Sequence, residues 1–394
     1  MKPKDATAIP QAIPLWNDPR KRAILYQVLT FCMIGLLGYY LFTNTVTNLQ
    51  RQRIASGFSF LEKESAFEIG ESLIRYSAAD SYGRALLVGA LNTLKVSFVG
   101  IVITIILGTI IGVARLSSNW LLAKLSAIYI EVMQDIPILL HLFFWYAFFY
   151  ESLPSPRQAI SPGAGIYLCN RGVAFTIPEA HPAHKYMLLA FVLACVIVYI
   201  LRRWARQRQA QTGRYFPVFR ISLGMLLGLP FLVWLSFGAP MALNAPKLVG
   251  FNFVGGLTVS PEFIALLLGL VLYTAAYVAE VVRAGIQSVS KGQTEAALSL
   301  GLRPMRVLNL VILPQALRVI IPPLTSQMLN LTKNSSLAVA IGFPDFVSIA
   351  NTTMNQTGQA IEGVALIMAV YLFFSLSTSA FMNWYNKRVA LVER

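Results

Sequence analysis

Charged residues are scarce in this chain. Asp, Glu, Lys and Arg together make up 12% of its 394 residues, whereas hydrophobic residues make up 56%. Soluble globular domains carry about 25% charged residues, so this composition predicts an integral membrane protein. Acidic residues are the scarcest, with 17 Asp and Glu against 32 Lys and Arg. Such a basic excess is typical of the loops that fix the topology of a membrane protein, and we expect no nucleic-acid partner.

Motifs for catalysis and for disulfide frameworks are absent as well. The sequence has no G-K-[S/T], no H-E-x-x-H and no G-x-S-x-G, the motifs of nucleotide-binding loops, zinc proteases and serine hydrolases. Cys32, Cys169 and Cys195 imply no disulfide framework. The "HPAH" stretch of His181 and His184 lies in a predicted outer loop, where a solvated loop is favoured over a metal site. We therefore expect a chain that is not an enzyme and binds no metal or cofactor itself, so that any chemical energy must come from another chain.

Long apolar runs dominate what is present. Eight of them are long enough to cross about 30 Å of hydrocarbon. With the N-terminus inside, 20 Lys and Arg fall on the inner side and 10 on the outer side, as the positive-inside rule requires. The sequence thus predicts an all-α membrane protein of about eight transmembrane helices, with both termini cytoplasmic and an uncleaved first span. The predicted spans are 23–43, 86–114, 125–150, 187–201, 219–238, 262–283, 306–331 and 361–384.

A stretch of mixed apolar and acidic residues, 45–85, follows the first span on the predicted outer side. Two interpretations are open. It forms either an amphipathic helix on the outer membrane surface or a loop that packs on the protein.

A polar segment on the predicted inner side, about 290–303, carries signals for a short helix. Ser290 and Gln293 have the spacing of a capping box, and Glu295 suits the helix N-terminus. Gly301 can take the left-handed conformation that ends a helix, and Pro304 can begin the next one. We therefore expect a helix from Glu295 to residue 300, a sharp reversal and a return to the bilayer.

This helix is expected to expose Ala297, Leu298 and Leu300. An exposed apolar face on a rigid element favours a docking surface, although a helical loop that merely joins two spans is the alternative.

The stretch "EAALSLG…ILP" resembles the EAA loop of ABC importer permeases, which fits into a groove of a cytoplasmic ATPase. Residues 275–342 and 85–132 resemble the polar amino acid uptake permeases. This resemblance implies a type I ABC importer permease core of five helices, in two parts at 85–150 and 261–394. Residues 1–84 would add an N-terminal tail, a span and an outer segment, and 151–260 would be an insertion with two extra spans. These additions resemble the long subunit of general L-amino acid transporters.

The resemblance also implies partners and a substrate class. The partners would be a sibling permease, a dimer of ATPase subunits that binds ATP and Mg²⁺, and a periplasmic amino-acid-binding protein, in a bacterial inner membrane. The substrates would be L-amino acids, with glutamate, glutamine, aspartate and asparagine among them. The residues implied in coupling to the ATPase are Glu295, Ala296, Ala297, Leu298, Gly301, Leu302 and Pro314.

Polar residues in or near the core spans are candidates for a substrate path. Glu280, with Tyr277 one turn away, lies inside a span, where an ionisable residue indicates function. Its alternative role is an ion pair with Arg283. Lys333, Asn334 and Ser335 are expected just past the outer end of the seventh span. There they would meet a substrate carboxylate or amide, or else form a solvated loop.

One part of the expected path departs from the family pattern. Gln134 and Asp135 stand where the family usually has Arg and a small or amide residue, and His141 stands where Gln is common. An Arg there would pair with a substrate carboxylate or with Glu280. Either the specificity has shifted away from acidic substrates, or the sibling subunit carries the working site.

Two other classes of protein remain as alternatives. An ion-coupled secondary transporter that acts without an ATPase should show internal repeats with paired broken helices, whereas here only one span contains prolines that break it. In a membrane scaffold without a transport path, neither an ionisable residue inside a span, such as Glu280, nor the inner helix would be expected.

Overall fold

The computed structural model describes residues 19–51 and 57–389. The prediction that both termini are cytoplasmic rests partly on basic residues in 1–18 and 390–394, which lie outside the described residues. Within the described residues the chain forms twelve α-helices. They are α1 (Pro19–Arg51), α2 (Tyr82–Arg115), α3 (Trp120–Asp135), α4 (Ile138–Ala147), α5 (Pro182–Thr212), α6 (Val218–Ser236), α7 (Pro261–Gln287), α8 (Lys291–Ser299), α9 (Pro304–Val307), α10 (Leu313–Asn334), α11 (Phe346–Thr357) and α12 (Ala360–Val389).

Short strands, which the sequence did not predict, lie on both sides of the α5–α6 pair. We call the end of the bundle that carries them the strand end, and the opposite end, which carries α8, the α8 end. The strands are β1 (Ile160–Gly163), β2 (Ile166–Cys169), β3 (Gly172–Phe175), β4 (Ile177–Pro178), β5 (Leu243–Asn244), β6 (Lys247–Val249), β7 (Asn252–Val254) and β8 (Leu257–Val259). Three 3₁₀ turns (Phe58–Glu62, Pro156–Gln158, Ser335–Ile341) and two π-helical turns (Phe148–Ser152, Leu308–Ile312) complete the described structure.

The predicted number of spans is confirmed. Seven described helices or helical segments are long and apolar enough to cross a membrane, and α3 with α4 makes an eighth when the bent pair counts as one span. The predicted third span is nevertheless not one straight helix, since the pair bends by 100°. Pro137 stands at this corner, where it lacks an N–H and disfavours helical geometry in the residue before it.

The helix α7 lies at the centre of the core and packs against α2, α3, α4 and α10. Glycines on α2 allow a close approach to it. A Cβ on Gly108 would lie 2.6 Å from the Cβ of Val278, and one on Gly112 would lie 2.6 Å from the carbonyl oxygen of Ala279. Small residues at a helix interface let the backbones approach when no hydrophobic effect drives helices together in lipid. The α2–α7 pair is therefore the tightly packed axis of the molecule.

The segment 57–81 is a packed loop and not a surface helix. After the 3₁₀ turn Phe58–Glu62 it runs irregularly across the strand end, with Phe60 buried. Glu71 forms an ion pair with Lys95 of α2 and accepts a hydrogen bond from Ser260 Oγ at 2.7 Å. The amphipathic-helix interpretation is wrong over these residues because Phe60, Leu61, Phe67 and Ile69 pack on the protein in irregular chain, and the loop interpretation is confirmed.

Asp345 fixes the start of α11 beside this loop. Its carboxylate accepts from Ser348 N at 2.8 Å and from Tyr371 Oη at 3.2 Å. Burial raises the pKa of the Asp345 carboxyl to about 6. The preceding turn is tied to α2, because Asn92 Nδ2 donates to Pro344 O at 2.9 Å.

The insertion is closed on itself at the strand end. Strand β3, before α5, pairs with β8, after α6, and β4 likewise pairs with β5. The two loops therefore lie on one side, and α5 and α6 form an antiparallel hairpin that leaves the strand end and returns to it. His181 and His184 cap the N-terminus of α5, with Ala183 N donating to His181 Nδ1 at 3.2 Å. No cluster of three metal-ligating side chains occurs among the described residues.

Candidate functional site: the α8 surface and a polar cavity

The inner helix forms as predicted, with differences at its start. It runs from Lys291 to Ser299, four residues earlier than Glu295, and Ser290 is its N-cap without a side-chain hydrogen bond. The predicted capping box is therefore not formed. Gly301 has φ of 77° and Leu302 N donates to Ala297 O at 3.3 Å, so the predicted left-handed stop is confirmed.

The surface of α8 is only partly the one expected. Ala297 is buried, because α8 packs against the π-helical turn Leu308–Ile312, so its predicted exposure is wrong. Leu298 is 46% exposed and Leu300 is 83% exposed, as expected. We call the exposed residues Glu295, Ala296, Leu298 and Leu300 the α8 surface. Its backbone is held by Ala297 and by the Gly301 turn, which makes it a rigid, partly apolar projection.

Leu302 and Pro314 follow this surface along the chain. Pro314 is exposed in the first turn of α10, where its missing N–H costs little, and Leu302 is half-buried in the turn after Gly301. All seven residues implied in coupling thus belong to α8, its C-terminal turn and the start of α10.

A polar cavity of about 340 Å³ lies between α7 and α10. Its position is halfway along α7, since Tyr273 is 12 residues from one end of that helix and 14 from the other. Tyr273 Oη and Tyr277 Oη are 3.1 Å apart. The lining side chains are all uncharged and polar: Tyr273, Thr274, Tyr277, Gln327, Asn330 and Asn334. Such a volume is within the range of small-molecule pockets, about 300–1,000 Å³.

Only Tyr277 and Asn334 of this lining were among the predicted path residues. The others were missed, although a signal was present. Gln327, Asn330 and Asn334 recur at i, i+3 and i+7 in α10, which places them on one helix face. Tyr273 and Tyr277 have the matching i, i+4 spacing on α7.

Lys333 and Ser335 do not line the polar cavity. Lys333 lies on another side of α10, in a cavity of about 610 Å³ against α12 that includes Met368 and Tyr371. Ser335 is fully buried and donates to Thr332 O at 2.7 Å. The expected position of these residues beyond the end of a span is wrong, because α10 continues to Asn334 and the 3₁₀ turn follows directly.

The α3–α4 corner lies beside the cavity. His141 is buried on α4, with Nε2 3.3 Å from Met133 O, and its ring centroid is 5.9 Å from that of Tyr273. His141 therefore connects the corner to a residue that lines the cavity. Gln134 is half-buried and Asp135 is exposed at the end of α3, where the chain turns.

Glu280 lies one turn from Tyr277 toward the α8 end and binds two arginines. Its Oε2 accepts from Arg283 Nε at 2.8 Å, and its Oε1 pairs with Arg115, the last residue of α2. The predicted alternative, an ion pair with Arg283, is confirmed, and the pair with Arg115 was not predicted. This cluster joins α2 to α7 between the cavity and the α8 end.

A multi-span helical bundle with a polar cavity halfway along its axis, and a rigid helix projecting at one end, is the architecture of a membrane transport protein. The family model "Binding-protein-dependent transport system inner membrane component" matches residues 100–391. The chain belongs to this family, which confirms the resemblance to ABC importer permeases found in the sequence.

Individual relatives cover nearly the whole chain. It is 50% identical over 377 residues to the general L-amino acid transport system permease protein AapQ of Rhizobium johnstonii, a match that spans 96% of this chain and 94% of the relative. It is 50% identical over 379 residues to the putative amino-acid ABC transporter permease protein YhdX of Escherichia coli K12, with 96% of both chains covered. It is 40% identical over 411 residues to the glutamate/glutamine/aspartate/asparagine transport system permease protein BztB of Rhodobacter capsulatus, again with 96% of both chains covered.

Proposed function

We propose that this chain is the transmembrane permease subunit of an ABC importer that moves L-amino acids across the bacterial inner membrane. The family and the similarity to amino acid permeases along 96% of the chain support this function. The observation that carries the transport path is the uncharged polar cavity halfway along α7. The ion-coupled alternative has no support from the family or from these relatives.

The polar cavity suits the two charged ends of an amino acid. Tyrosine hydroxyls and the amide nitrogens of Asn330, Asn334 and Gln327 can donate to a carboxylate, while the amide and hydroxyl oxygens can accept from an ammonium group. No side chain in the lining is charged, so neither sign of substrate charge is repelled. This lining supports a broad range of L-amino acids, including the amides and the acids named for BztB.

The Glu280 cluster would close the path toward the α8 end. Glu280 is one turn from the cavity, and its pair with Arg115 holds the end of α2 to α7, while its other partner, Arg283, is on α7 itself. Opening toward this end would move the last turn of α2 away from α7 and break the pair with Arg115. Glu280 then acts in the path as a gate, and its ionised carboxylate is balanced while the gate is closed.

ATP and Mg²⁺ would be bound by a dimer of partner ATPase subunits that docks on the α8 surface. A rigid helix transmits movement, and α8 is held by its own C-terminal turn and by the π-helical turn at the start of the next span. Movement of the ATPase would therefore reach α10, one wall of the cavity. The α8 end would face the cytoplasm, and both chain termini would lie on that side.

A sibling permease would complete the path. Within the described part of the chain, the lining of the polar cavity comes from α7 and α10, and transporter sites usually form between two related halves. A heterodimer would place a second set of helices opposite this wall. A periplasmic amino-acid-binding protein would deliver the substrate at the strand end.

The docking of the ATPase can be tested by copurification. A Glu295→Ala, Gly301→Val double variant removes a charge from the α8 surface and forces a side chain into the left-handed turn. We expect it to lose the ATPase. The matched control is Glu179→Ala with Gly250→Val at the strand end, where Gly250 has φ of 64° and an added Cβ would meet open space. Retention of the ATPase by both variants, or uptake sustained by an ion gradient without ATP, would contradict the proposal.

A further inference from the structure

The turn of the α5–α6 hairpin remote from the strands carries a dense set of arginines. Six of them fall between residues 202 and 220, and the chain has no acidic residue between Glu179 and Glu262. All six are exposed, and none takes part in an ion pair found among the described residues. We call Arg202, Arg203, Arg206, Arg208, Arg214 and Arg220 the hairpin arginines.

The hairpin arginines begin where the apolar part of the hairpin ends. No charged residue lies between Lys185 and Arg202 on α5, or between Arg220 and Lys247 on α6 and beyond. Helices of this composition cross the hydrocarbon, so their first charges lie at the level of the lipid headgroups. The cluster is therefore a membrane-surface feature.

Aromatic side chains lie among the arginines. Arg208 Cζ is 5.1 Å from the ring of Trp204, whose ring packs edge-on against Phe216 at 5.4 Å. Tyr215 is 77% exposed in the turn. Trp and Tyr are enriched at the interface between hydrocarbon and water, so these rings support the same depth.

The arrangement of the arginines favours lipid over a protein partner. At about 100° per residue, Arg202, Arg203, Arg206 and Arg208 cover an arc of roughly 220° around α5, with buried Ala205 between Arg208 and Arg202. Among the described helices, α5 makes extensive contacts only with α6. One flat protein surface cannot reach arginines on all these sides, whereas headgroups surround a hairpin that stands in a bilayer.

The chemistry of the group indicates phosphate. Each guanidinium presents a planar fork of N–H donors that matches two phosphate oxygens, and it is more weakly hydrated than a lysine ammonium. We infer that the hairpin arginines bind the phosphodiester headgroups of anionic phospholipids such as phosphatidylglycerol. The site holds the hairpin, whose helix α5 packs extensively only on α6 among the described helices, to one leaflet of the membrane.

The test measures lipid bound to the full-length chain. The protein in its native complex is purified in a neutral detergent and mixed with equal amounts of phosphatidylglycerol and phosphatidylcholine, and bound lipids are counted by native mass spectrometry. We expect enrichment of phosphatidylglycerol in the wild type. The Arg203→Gln, Arg206→Gln, Arg208→Gln variant should lose at least about tenfold of that enrichment, since each basic group contributes to binding at an anionic surface.

Two further variants serve as controls. Replacement of the same three arginines by lysine keeps the charge and should keep most of the enrichment. Removal of three other basic residues near α8, by Lys291→Gln, Arg303→Gln and Arg306→Gln, should leave it unchanged. Excess inorganic phosphate should not displace the bound phosphatidylglycerol.

Three results would overturn the inference. Equal enrichment in the wild type and the glutamine variant would show that the arginines do not bind lipid. Full displacement by inorganic phosphate would indicate a site for soluble anions. Loss of the copurifying ATPase with unchanged lipid in the glutamine variant would indicate a protein contact. If the glutamine variant folds poorly, equal binding of phosphatidylglycerol and phosphatidylcholine by the wild type and by the lysine variant would overturn the inference.

Discussion

Two helices of this molecule, α7 and α5, have nearly the same mean hydropathy but opposite surroundings. An 18-residue window of α7 has a mean hydropathy of 2.0, and one of α5 has a mean hydropathy of 2.1. Yet 56% of the α7 window is buried within the protein, against 11% of the α5 window. The difference lies in residue size and in polar groups. Helix α7 offers Ala275, Ala276 and Ala279 to its neighbours, with Tyr273 and Glu280 on the same helix. Hydropathy thus predicts that a helix crosses the membrane, while small and polar residues decide whether protein or lipid surrounds it.

The same contrast divides the functions we propose. The core around α7 contains the polar cavity and the Glu280 cluster, and it is continuous with the α8 surface through α9 and α10. The α5–α6 hairpin is joined to the core through paired strands and ends in basic residues that face outward. We propose transport for the first region and lipid attachment for the second.

The largest effect is expected from a side chain placed between α2 and α7. Gly108→Leu puts atoms where a Cβ already lies 2.6 Å from Val278, and overpacking costs about 1–3 kcal/mol or more. We expect a lower midpoint of thermal unfolding in detergent and a smaller yield of assembled complex. Gly224→Leu on α6 is the matched control, because a Cβ there meets open space. Equal losses in both variants would contradict the difference in packing.

The next largest effect is expected from Glu280→Gln. This change removes the acidic partner of Arg115 and Arg283, and Arg283 keeps only its hydrogen bond to Gln287. Their side chains are 22% and 31% exposed, so the cost should lie between that of surface pairs, about 0–1 kcal/mol, and that of breaking buried pairs, about 3–5 kcal/mol. Uptake by reconstituted complex should fall several-fold and the unfolding midpoint should drop. Arg220→Gln on the hairpin should change neither uptake nor the unfolding midpoint. If Glu280→Gln also changes neither quantity, Glu280 is not a gate.

A smaller effect, on selectivity, is expected from Gln134→Arg. An added guanidinium at the α3–α4 corner would attract substrate carboxylates. We expect the ratio of acidic to neutral amino acid uptake to rise, as measured by competition among labelled substrates. Unchanged uptake of every amino acid tested would favour the alternative in which the sibling subunit carries the working site.

The smallest effect on transport is expected from removal of the hairpin. Because β4 pairs with β5, residues 180–241 can be replaced by an Asn-Gly turn that joins the two strands directly. Uptake should stay within about twofold of the wild type, since the lining of the cavity lies outside the deleted segment. Loss of ATPase binding in this variant would show that the hairpin belongs to the transport machinery.

Local signals were enough to predict much of this molecule. The apolar spans follow from hydropathy alone, and the turn at Gly301 follows from a glycine placed where a helix must stop. The cavity could not be derived in this way, because Gln327, Asn330 and Asn334 become a site only when α10 packs against Tyr273 and Tyr277 of α7. The same holds for Arg115, which is 165 residues from Glu280 along the chain. The sequence did not decide between a surface helix and a packed loop for residues 57–81. A stretch of mixed apolar and acidic residues can pack equally well on a membrane surface or on the protein.

The central claim is that ATP hydrolysis by a partner, acting through the α8 surface, drives amino acid movement through the cavity between α7 and α10. The most direct test measures ATP hydrolysis by the reconstituted complex with its binding protein across a panel of L-amino acids. We expect members of the panel to stimulate ATP hydrolysis by the wild-type complex. Stimulation should be weaker in the Asn330→Leu variant and absent in the Glu295→Ala, Gly301→Val variant. Two results would contradict this mechanism. One is unchanged stimulation of ATP hydrolysis in both variants, and the other is a wild-type complex that no amino acid stimulates.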